Sequence, residues 1–278
     1  MEYINKEKNI KIYANEINIG DSVKFGNNIS VIVNGRFELN NYSVLGDNAV
    51  IRGNNVIIGE HFFNSNDLRI GGGGWDGPNA NLVIGDRCVI HNSLINICEP
   101  VEIGDDVGFS THVDIITHGF WLSVLEGFPT TFSGVKIGNG VIVGLRSTIM
   151  MGVNITDEIV IGARSLVTNN LSEKGIYVGI PARKIKDIIP LQPAQRIETI
   201  NNIIKKYVKV AKYHKIKPSI SIEYPVIFIN DFQINVETLE YEGKEDEETD
   251  DFRDFMRRYG IRIYTKRFFK TSFKFPFN

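Results

Sequence analysis

The chain of 278 residues carries 31 Lys and Arg against 33 Asp and Glu, which gives a formal net charge of −2. This balance argues against a nucleic-acid-binding protein, which usually has a basic excess, and 42% hydrophobic with 23% charged residues indicates an ordinary folded protein. Two cysteines are too few for a disulfide scaffold. No apolar run approaches the roughly 18 residues of a membrane span, and the N-terminal MEYINKEKNIK lacks the apolar core of a signal peptide. We therefore expect a soluble, cytoplasmic protein.

The main body of the chain is built from a repeat of six residues, loose over residues 10–80 and more regular further on. From residue 137 an aliphatic side chain recurs at every sixth position: Ile137, Val143, Ile149, Ile155, Ile161 and Val167. The next residue is often glycine, which eases a tight turn, and the fifth residue is small or β-branched. A period of six fits neither a helix nor a single strand, so it predicts short strands joined by corners and stacked around a buried aliphatic column. Cys88 falls at a small inward position and is predicted to be a core residue.

On these repeats, residues 81–187 resemble the hexapeptide-repeat acyltransferase superfamily, and within it the galactoside, maltose and polysaccharide O-acetyltransferases. The resemblance implies a mainly β fold, a left-handed parallel β-helix, and a homotrimer with each active site between two chains. It also implies acetyl-CoA as the acyl donor, bound as a substrate. We assign residues 1–189 to the β-helix domain and residues 190–278 to a C-terminal helix with a small α+β appendage.

The longest interruption of the repeat, residues 117–134, is the predicted catalytic loop, because long loops on a rigid scaffold concentrate function. His118 stands near its start, and a neutral imidazole can accept a hydroxyl proton near pH 7. The resemblance gives a histidine at this place the role of general base, and it implies that Asn92 helps to hold the acceptor hydroxyl. A structural asparagine at a coil corner is the alternative for Asn92. Glu126 could orient His118 or bind sugar hydroxyls and Trp121 could stack on a sugar face, with a solvated charge and loop packing as the alternatives.

Other polar residues of the repeat region carry weaker signals. Asp114 and His91 occupy repeat positions and are predicted to face outward, with lining of the acceptor pocket as the alternative. The five histidines, at positions 61, 91, 112, 118 and 214, show no metal-binding spacing, so no metal site is expected. The glycine run at residues 71–74 does not match a nucleotide-binding P-loop, and the following WDGP predicts a turn that could rim the acceptor pocket.

The last coils are predicted to bind the donor, since small residues at coil corners let a thin pantetheine arm approach the backbone. The resemblance carries donor contacts to four corner residues: Gly144, Leu145, Ala163 and Thr168. The stretch GIPARKIKD, residues 179–187, resembles the G-x-P-A-[KR] signature of the superfamily. Its Arg183 and Lys184 could contact the phosphates of coenzyme A, with an ordinary basic patch as the alternative.

Beyond Pro190 the period of six ends. Aliphatic spacing predicts a helix over residues 193–214, and SISIEYPVIFIN and QINVETL are predicted to form strands. The acidic run EYEGKEDEETDD predicts a solvated turn and helix start, FRDFMRRYG a short helix with Gly260 just past its end, and IRIYT a final strand. The basic and aromatic tail KRFFKTSFKFPFN could touch an anionic membrane or a polysaccharide, or pack on the appendage.

Together these features predict an acetyl-CoA-dependent O-acetyltransferase that acts on a sugar or polysaccharide hydroxyl by direct transfer. N-acetylation of an amino sugar or an antibiotic on the same scaffold is one alternative, because an amine acceptor must also lose a proton. A solenoid that binds or assembles without catalysis is the second. No motif in the sequence names the acceptor.

Overall fold

Stacked hexapeptides form a three-sided parallel β-helix in a computed structural model that describes residues 1–269. By their contacts the residues fall into two units, a β-helix unit, Met1–Ile188, and a C-terminal unit, Ile189–Asn278. The predicted mainly β fold with a β-helix of hexapeptide repeats is confirmed. Within residues 1–269, no helix is both long and apolar enough to cross a bilayer.

Each face of the β-helix is one sheet. The nine strands of sheet A are Glu2–Asn5, Ile10–Tyr13, Ile29–Val33, Val50–Gly53, Arg69–Gly71, Leu94–Asn96, Asp114–Ile115, Thr148–Ile149 and Leu166–Val167. The seven strands of sheet B are Glu16–Ile19, Arg36–Leu39, Asn55–Ile58, Asn81–Ile84, Val101–Ile103, Val135–Ile137 and Asn154–Ile155. The six strands of sheet C are Val89–Ile90, Gly108–Phe109, Ile142–Val143, Ile159–Ile161, Gly175–Val178 and Arg183–Lys186. The pair Lys24–Phe25 and Val44–Leu45 extends this third face towards the N-terminus through bridges at Phe63.

The chain runs from sheet A to sheet B to sheet C in every coil, so the β-helix has an A–B edge and a C–A edge along which successive corners line up. Ile137 pairs with Ile155 and Ile149 with Val167, so a regular coil takes 18 residues. The first and fifth residues of the late repeats are buried, as predicted: Ile137, Val141, Val143, Ser147, Ile149, Val153, Ile155, Ile159, Ile161, Ser165 and Val167. Cys88 is buried in the same column, and this burial raises the pKa of its thiol to about 12.

Glycine occurs at the second place of the hexapeptide for a different reason from the predicted one, which was that it eases a tight turn. A Cβ atom on Gly104 would lie 2.5 Å from Oδ1 of Asn139 in the next coil, and that oxygen accepts the Asp105 N–H at 2.8 Å. Glycine is therefore required by close approach between coils, because the third-place Asp or Asn of one coil binds the backbone of the coil before it. The left-handed backbone occurs at the fourth place instead, as at Arg146 and Arg164, each with φ near 57°.

Two coils are longer than the others, and both extra segments leave the A–B edge. Val56 pairs with Leu82, 26 residues further on, and the extra length lies between strands Arg69–Gly71 and Asn81–Ile84. Val101 pairs with Val135, 34 residues further on. The extra length there forms a hairpin in which His118–Gly119 pairs antiparallel with Thr131–Phe132, with a 3-10 turn at Val124–Glu126.

The C-terminal unit combines two helices with an antiparallel sheet. The predicted helix is confirmed as α1, Pro193–His214, and a second helix, α2, spans Glu247–Met256 before a 3-10 turn at Arg257–Tyr259. The four strands are Ile220–Glu223, Val226–Ile229, Phe232–Asn235 and Tyr241–Gly243. Gly260 adopts φ 78° and its N–H bonds the Arg257 carbonyl, as predicted for the residue after a helix.

Two predictions for this unit are wrong. The stretch IRIYT, residues 261–265, forms no strand, because its Ile263 carbonyl accepts a hydrogen bond from the Arg253 guanidinium at 3.0 Å. The acidic run is not fully solvated, because Asp250 and Asp251 are buried in α2. Asp250 is paired with Arg253 at 3.0 Å and with Arg267 at 2.6 Å. Residues 270–278 of the basic tail lie outside the described residues.

Candidate active site

His118 lies at the start of the hairpin on the A–B edge. Strand Asp114–Ile115 of sheet A ends just before it, and Thr117 is fully buried, so the backbone enters the hairpin from a fixed point. The half-buried imidazole lies against Phe120 and Phe132, with ring centroids 5.5 and 5.8 Å away. These apolar faces hold the ring at the surface without supplying a proton donor or acceptor.

Asn96 is the polar partner of the His118 ring. It ends strand Leu94–Asn96, one coil before His118, and is only 5% exposed. Its Oδ1 lies 2.9 Å from Nδ1 of His118 and also accepts hydrogen bonds from the Thr117 hydroxyl and from the Cys98 N–H. The sequence singled out neither Asn96 nor Thr117, because an asparagine and a threonine at coil positions are common without any chemical role.

The glycine run at residues 71–74 covers Asn96 and borders the other side of the imidazole. The Gly71 and Gly73 carbonyls accept hydrogen bonds from the Asn96 Nδ2 at 3.1 and 3.3 Å. A Cβ atom on Gly73 would lie 3.3 Å from Nε2 of His118. The backbone of the first long coil therefore packs against the second long coil, and His118 lies between the two interruptions of the repeat.

The predicted companions of His118 lie elsewhere. Asn92 is half-buried at the C–A edge, where its carbonyl accepts the His112 N–H. Glu126 is exposed in the 3-10 turn of the hairpin. Among the described residues, the His118 ring makes its hydrogen bond with the Oδ1 acceptor of Asn96, not with Asn92 or Glu126.

Trp121 lies on the hairpin beside an open pocket of about 490 Å³. Its lining residues are Gly119, Phe120, Trp121, Leu122, Phe128, Pro129, Thr131 and Met151. Trp121 is 90% exposed, and Leu125 at the hairpin tip is 94% exposed. Such a cluster of large exposed apolar side chains is typical of a surface that binds a ligand or another chain.

Asp114 and His91 are both half-buried. Burial raises the pKa of the Asp114 carboxyl, an effect that the nearby His112 opposes. Burial also lowers the pKa of His91, whose Nδ1 lies 3.1 Å from the Ser65 hydroxyl and whose ring packs edge-on against Phe63.

Most of the predicted donor corners share one edge. Gly144, Leu145 and Ala163 follow strands of sheet C and precede strands of sheet A, so they lie on the C–A edge. A Cβ atom on Gly144 would lie 2.5 Å from the Ala163 nitrogen, which shows how closely these corners stack. Thr168 follows sheet A and is exposed on the A–B edge, the same edge as His118.

The two predicted phosphate contacts differ in their availability. Lys184 lies between the Glu173 carboxylate at 2.9 Å and the Asp187 carboxylate at 2.7 Å, and its hydrogen bonds to Asp187 and Glu173 raise its pKa. Arg183 is exposed and donates to the Ala182 carbonyl at 2.9 Å, which leaves further donors of its guanidinium for an anion.

No protein-family model matches the chain. It is similar to Protein CapG of Staphylococcus aureus, 37% identical over 92 residues that cover 32% of this chain and 53% of that protein. It is also similar to galactoside O-acetyltransferase of Escherichia coli strain K12, 28% identical over 155 residues that cover 53% of this chain and 64% of that protein. A solved maltose O-acetyltransferase from Clostridium difficile 630 aligns with a TM-score of 0.33 at 24% identity, covering 64% of this chain and 70% of that one. The chain thus spans between about half and just under two thirds of the two curated relatives.

Proposed function

We propose that the chain is a member of the hexapeptide-repeat acyltransferase superfamily and that it transfers the acetyl group of acetyl-CoA to a hydroxyl group of a sugar or polysaccharide. The observation that carries this proposal is the placement of His118. It is a half-buried imidazole on the A–B edge, at a place where both interruptions of the described repeat meet. The galactoside O-acetyltransferase relative supports a sugar as the acceptor.

The proposed reaction is a direct transfer with His118 as general base. The imidazole takes the proton of the acceptor hydroxyl while its oxygen attacks the thioester carbonyl carbon. Backbone N–H groups stabilise the resulting oxyanion, the C–S bond breaks, and the imidazolium returns its proton to the thiolate of coenzyme A. The products are an O-acetyl ester and free coenzyme A, and His118 ends in its starting form.

A homotrimer would complete this site. His118 lies on the A–B edge, whereas Gly144 and Leu145 lie on the C–A edge of the same chain, across the width of sheet A. A donor bound along the C–A edge would meet the base if a neighbouring chain placed its A–B edge beside it. The exposed Trp121 and Leu125 supply the apolar surface for such a contact. In this arrangement Arg183 would contact the phosphates of coenzyme A, and Lys184 would hold the strand through Glu173 and Asp187.

The substitution His118→Ala tests the proposed base. We expect a loss of roughly 10²–10⁴-fold in the acetyl-CoA-dependent rate, the usual contribution of general base catalysis. The measurement is thiol release with a panel of nucleotide sugars and oligosaccharides. The matched control is His112→Asn, since His112 is exposed and its φ of 58° suits asparagine. A folded His118→Ala variant that keeps more than about a tenth of the rate would contradict the assignment.

The linkage of the product separates this proposal from the alternatives. Mass spectrometry and NMR of the acetylated acceptor distinguish an ester from an amide, and an amide would favour N-acetylation. Isothermal titration of acetyl-CoA into the protein tests the remaining alternative. If the correctly folded protein gives no binding heat with acetyl-CoA, the chain is a non-catalytic binding or assembly module.

A further inference from the structure

We infer that Asn96 and the tetraglycine segment, residues 71–74, act as one positioning unit, which holds His118 with its proton on Nδ1 and leaves Nε2 open to the acceptor hydroxyl. The inference rests on the proposed function for the chemistry of the acceptor. Its structural part concerns the protonation and the surroundings of one imidazole, which can be measured without any reaction.

The tetraglycine segment fixes the orientation of the Asn96 amide. Its Nδ2 donates to the Gly71 carbonyl at 3.1 Å and to the Gly73 carbonyl at 3.3 Å. A flipped amide would place its oxygen against these two carbonyl oxygens, so the flip is unfavourable. Asn96 Oδ1 is therefore directed away from the tetraglycine segment and towards His118.

The orientation of the Asn96 amide in turn fixes the tautomer of His118. Asn96 Oδ1 can only accept hydrogen bonds, so the Nδ1 atom 2.9 Å away must carry the hydrogen. In a neutral imidazole the lone pair then lies on Nε2, the atom that a general base needs. Asparagine is uncharged, so it fixes the tautomer without the additional charge that an aspartate or glutamate partner would bring.

The tetraglycine segment requires glycine at its positions for two different reasons. Gly71, Gly72 and Gly74 have φ of 120°, 99° and 75°, which residues with a side chain rarely adopt. Gly73 is different, because its φ lies outside that region, and the reason for glycine there is space. A Cβ atom on Gly73 would lie 3.3 Å from Nε2 and 3.4 Å from Cε1 of His118, where the acceptor hydroxyl must approach.

The tautomer is tested by nitrogen NMR on the full chain labelled with ¹⁵N-histidine, with the His118 signals assigned from their loss in His118→Ala. In the neutral wild-type protein we expect a protonated Nδ1 and an unprotonated Nε2. In Asn96→Ala we expect both tautomers, because the acceptor that holds the Nδ1 hydrogen is gone. A wild-type ring protonated on Nε2, or a tautomer unaffected by Asn96→Ala, would overturn the inference.

The pH profile separates positioning from a merely structural role. Asn96→Asp places a carboxylate against the ring and stabilises imidazolium, so the acid limb of the profile of kcat/KM should move to higher pH. The matched control is Asn64→Asp, because Asn64 is a fully buried asparagine whose Nδ2 also donates to backbone carbonyls, those of Ile90 and Asn66. We expect an unshifted acid limb in the control. An unshifted limb in a folded Asn96→Asp variant would count against positioning.

Space at Gly73 is tested by a pair of alanine variants. Gly73→Ala should lower kcat/KM for the acceptor about 10²-fold, since misplacement by roughly 1 Å has that effect, while KM for acetyl-CoA stays unchanged. Gly77→Ala is the control, because its Cβ would meet only the Gly74 carbonyl at 3.3 Å. Equal rates in the two variants would contradict the role of Gly73. If the wild-type protein acetylates nothing but carries Nδ1–H on His118, the proposed function fails and the positioning unit stands.

Discussion

At the scale of the residue, each place of the hexapeptide has its own physical requirement. The first and fifth places are buried, the third supplies an acceptor for the backbone of the preceding coil, and the fourth adopts a left-handed φ. The second place lacks room for a side chain where the next coil presses against it, as at Gly104. Glycine is thus frequent at this place of the repeat because neighbouring coils lie too close together for a side chain.

Two glycines of one coil make this requirement testable. Gly104→Ala should destabilise the β-helix unit by about 1–3 kcal/mol, because the new methyl group overlaps the Asn139 amide and the backbone beside it. Gly108→Ala has no atom within 4 Å of the new Cβ and should be neutral or stabilising by up to about 1 kcal/mol. Urea unfolding of both variants gives the comparison. Equal stability would show that close approach is not the reason for glycine at position 104.

The sequence draws attention to His118 as a candidate, but it gives no sign of Asn96, the residue that hydrogen-bonds to its ring in the structure. A histidine at a break in a regular repeat stands out locally, whereas Asn96 acquires its importance from contacts with residues 22 and 25 positions away. Those contacts depend on which coil covers which, and a repeat pattern does not specify that. Glu126 was the natural candidate by charge alone, yet the hairpin holds it in an exposed 3-10 turn.

At the scale of the element, helix α2 shows how distant contacts change the meaning of a charge pattern. Its acidic residues predict a solvated helix start, and Glu247 and Glu248 in the first turn fit that pattern. Asp250 is buried instead because Arg253, one turn further, and Arg267, beyond the helix, neutralise it. The sequence predicts a helix in this region, but it does not predict that Arg267 pairs with Asp250.

The buried guanidinium of α2 is predicted to be essential for the C-terminal unit. Arg253 is 0% exposed and donates to Asp250 and to the Ile263 carbonyl, both at 3.0 Å. Arg253→Ala removes one of the two guanidinium groups that pair with buried Asp250, takes this donor from the Ile263 carbonyl and empties a fully buried side-chain volume, so it should cost about 3–5 kcal/mol. Helical circular dichroism follows this unit selectively, because both α-helices of the described residues belong to it.

The control for Arg253 is Arg258→Ala, whose guanidinium is exposed and lies 3.8 Å from Asp254. A solvated ion pair of this kind contributes about 0–1 kcal/mol, so its midpoint of thermal unfolding should stay close to that of the wild type. Similar midpoints for the Arg253 and Arg258 variants would contradict the importance of the buried cluster.

At the scale of the whole molecule, the proposed trimer is the prediction with the widest consequences. Sedimentation equilibrium should give three times the chain mass of 31.4 kDa. Leu125→Asp should weaken assembly and acetyl transfer together, because a charge would replace a 94% exposed leucine that a neighbouring chain would cover in the proposed trimer. Leu239→Asp, in the C-terminal unit and 39% exposed, is the control and should leave both unchanged. A Leu125→Asp variant that sediments like the wild type would show that the hairpin does not cross to a neighbour.

The two ends of the β-helix are finished differently from its body. Every pairing inside its three sheets is parallel, but the first strand, Glu2–Asn5, and the last, Arg183–Lys186, run antiparallel to their neighbours. A bare parallel end would offer its unpaired amides to the next molecule and invite growth into a filament. Each reversed strand instead presents an antiparallel edge, so a second molecule that pairs there does not continue the parallel register of the coils in sheet A or sheet C.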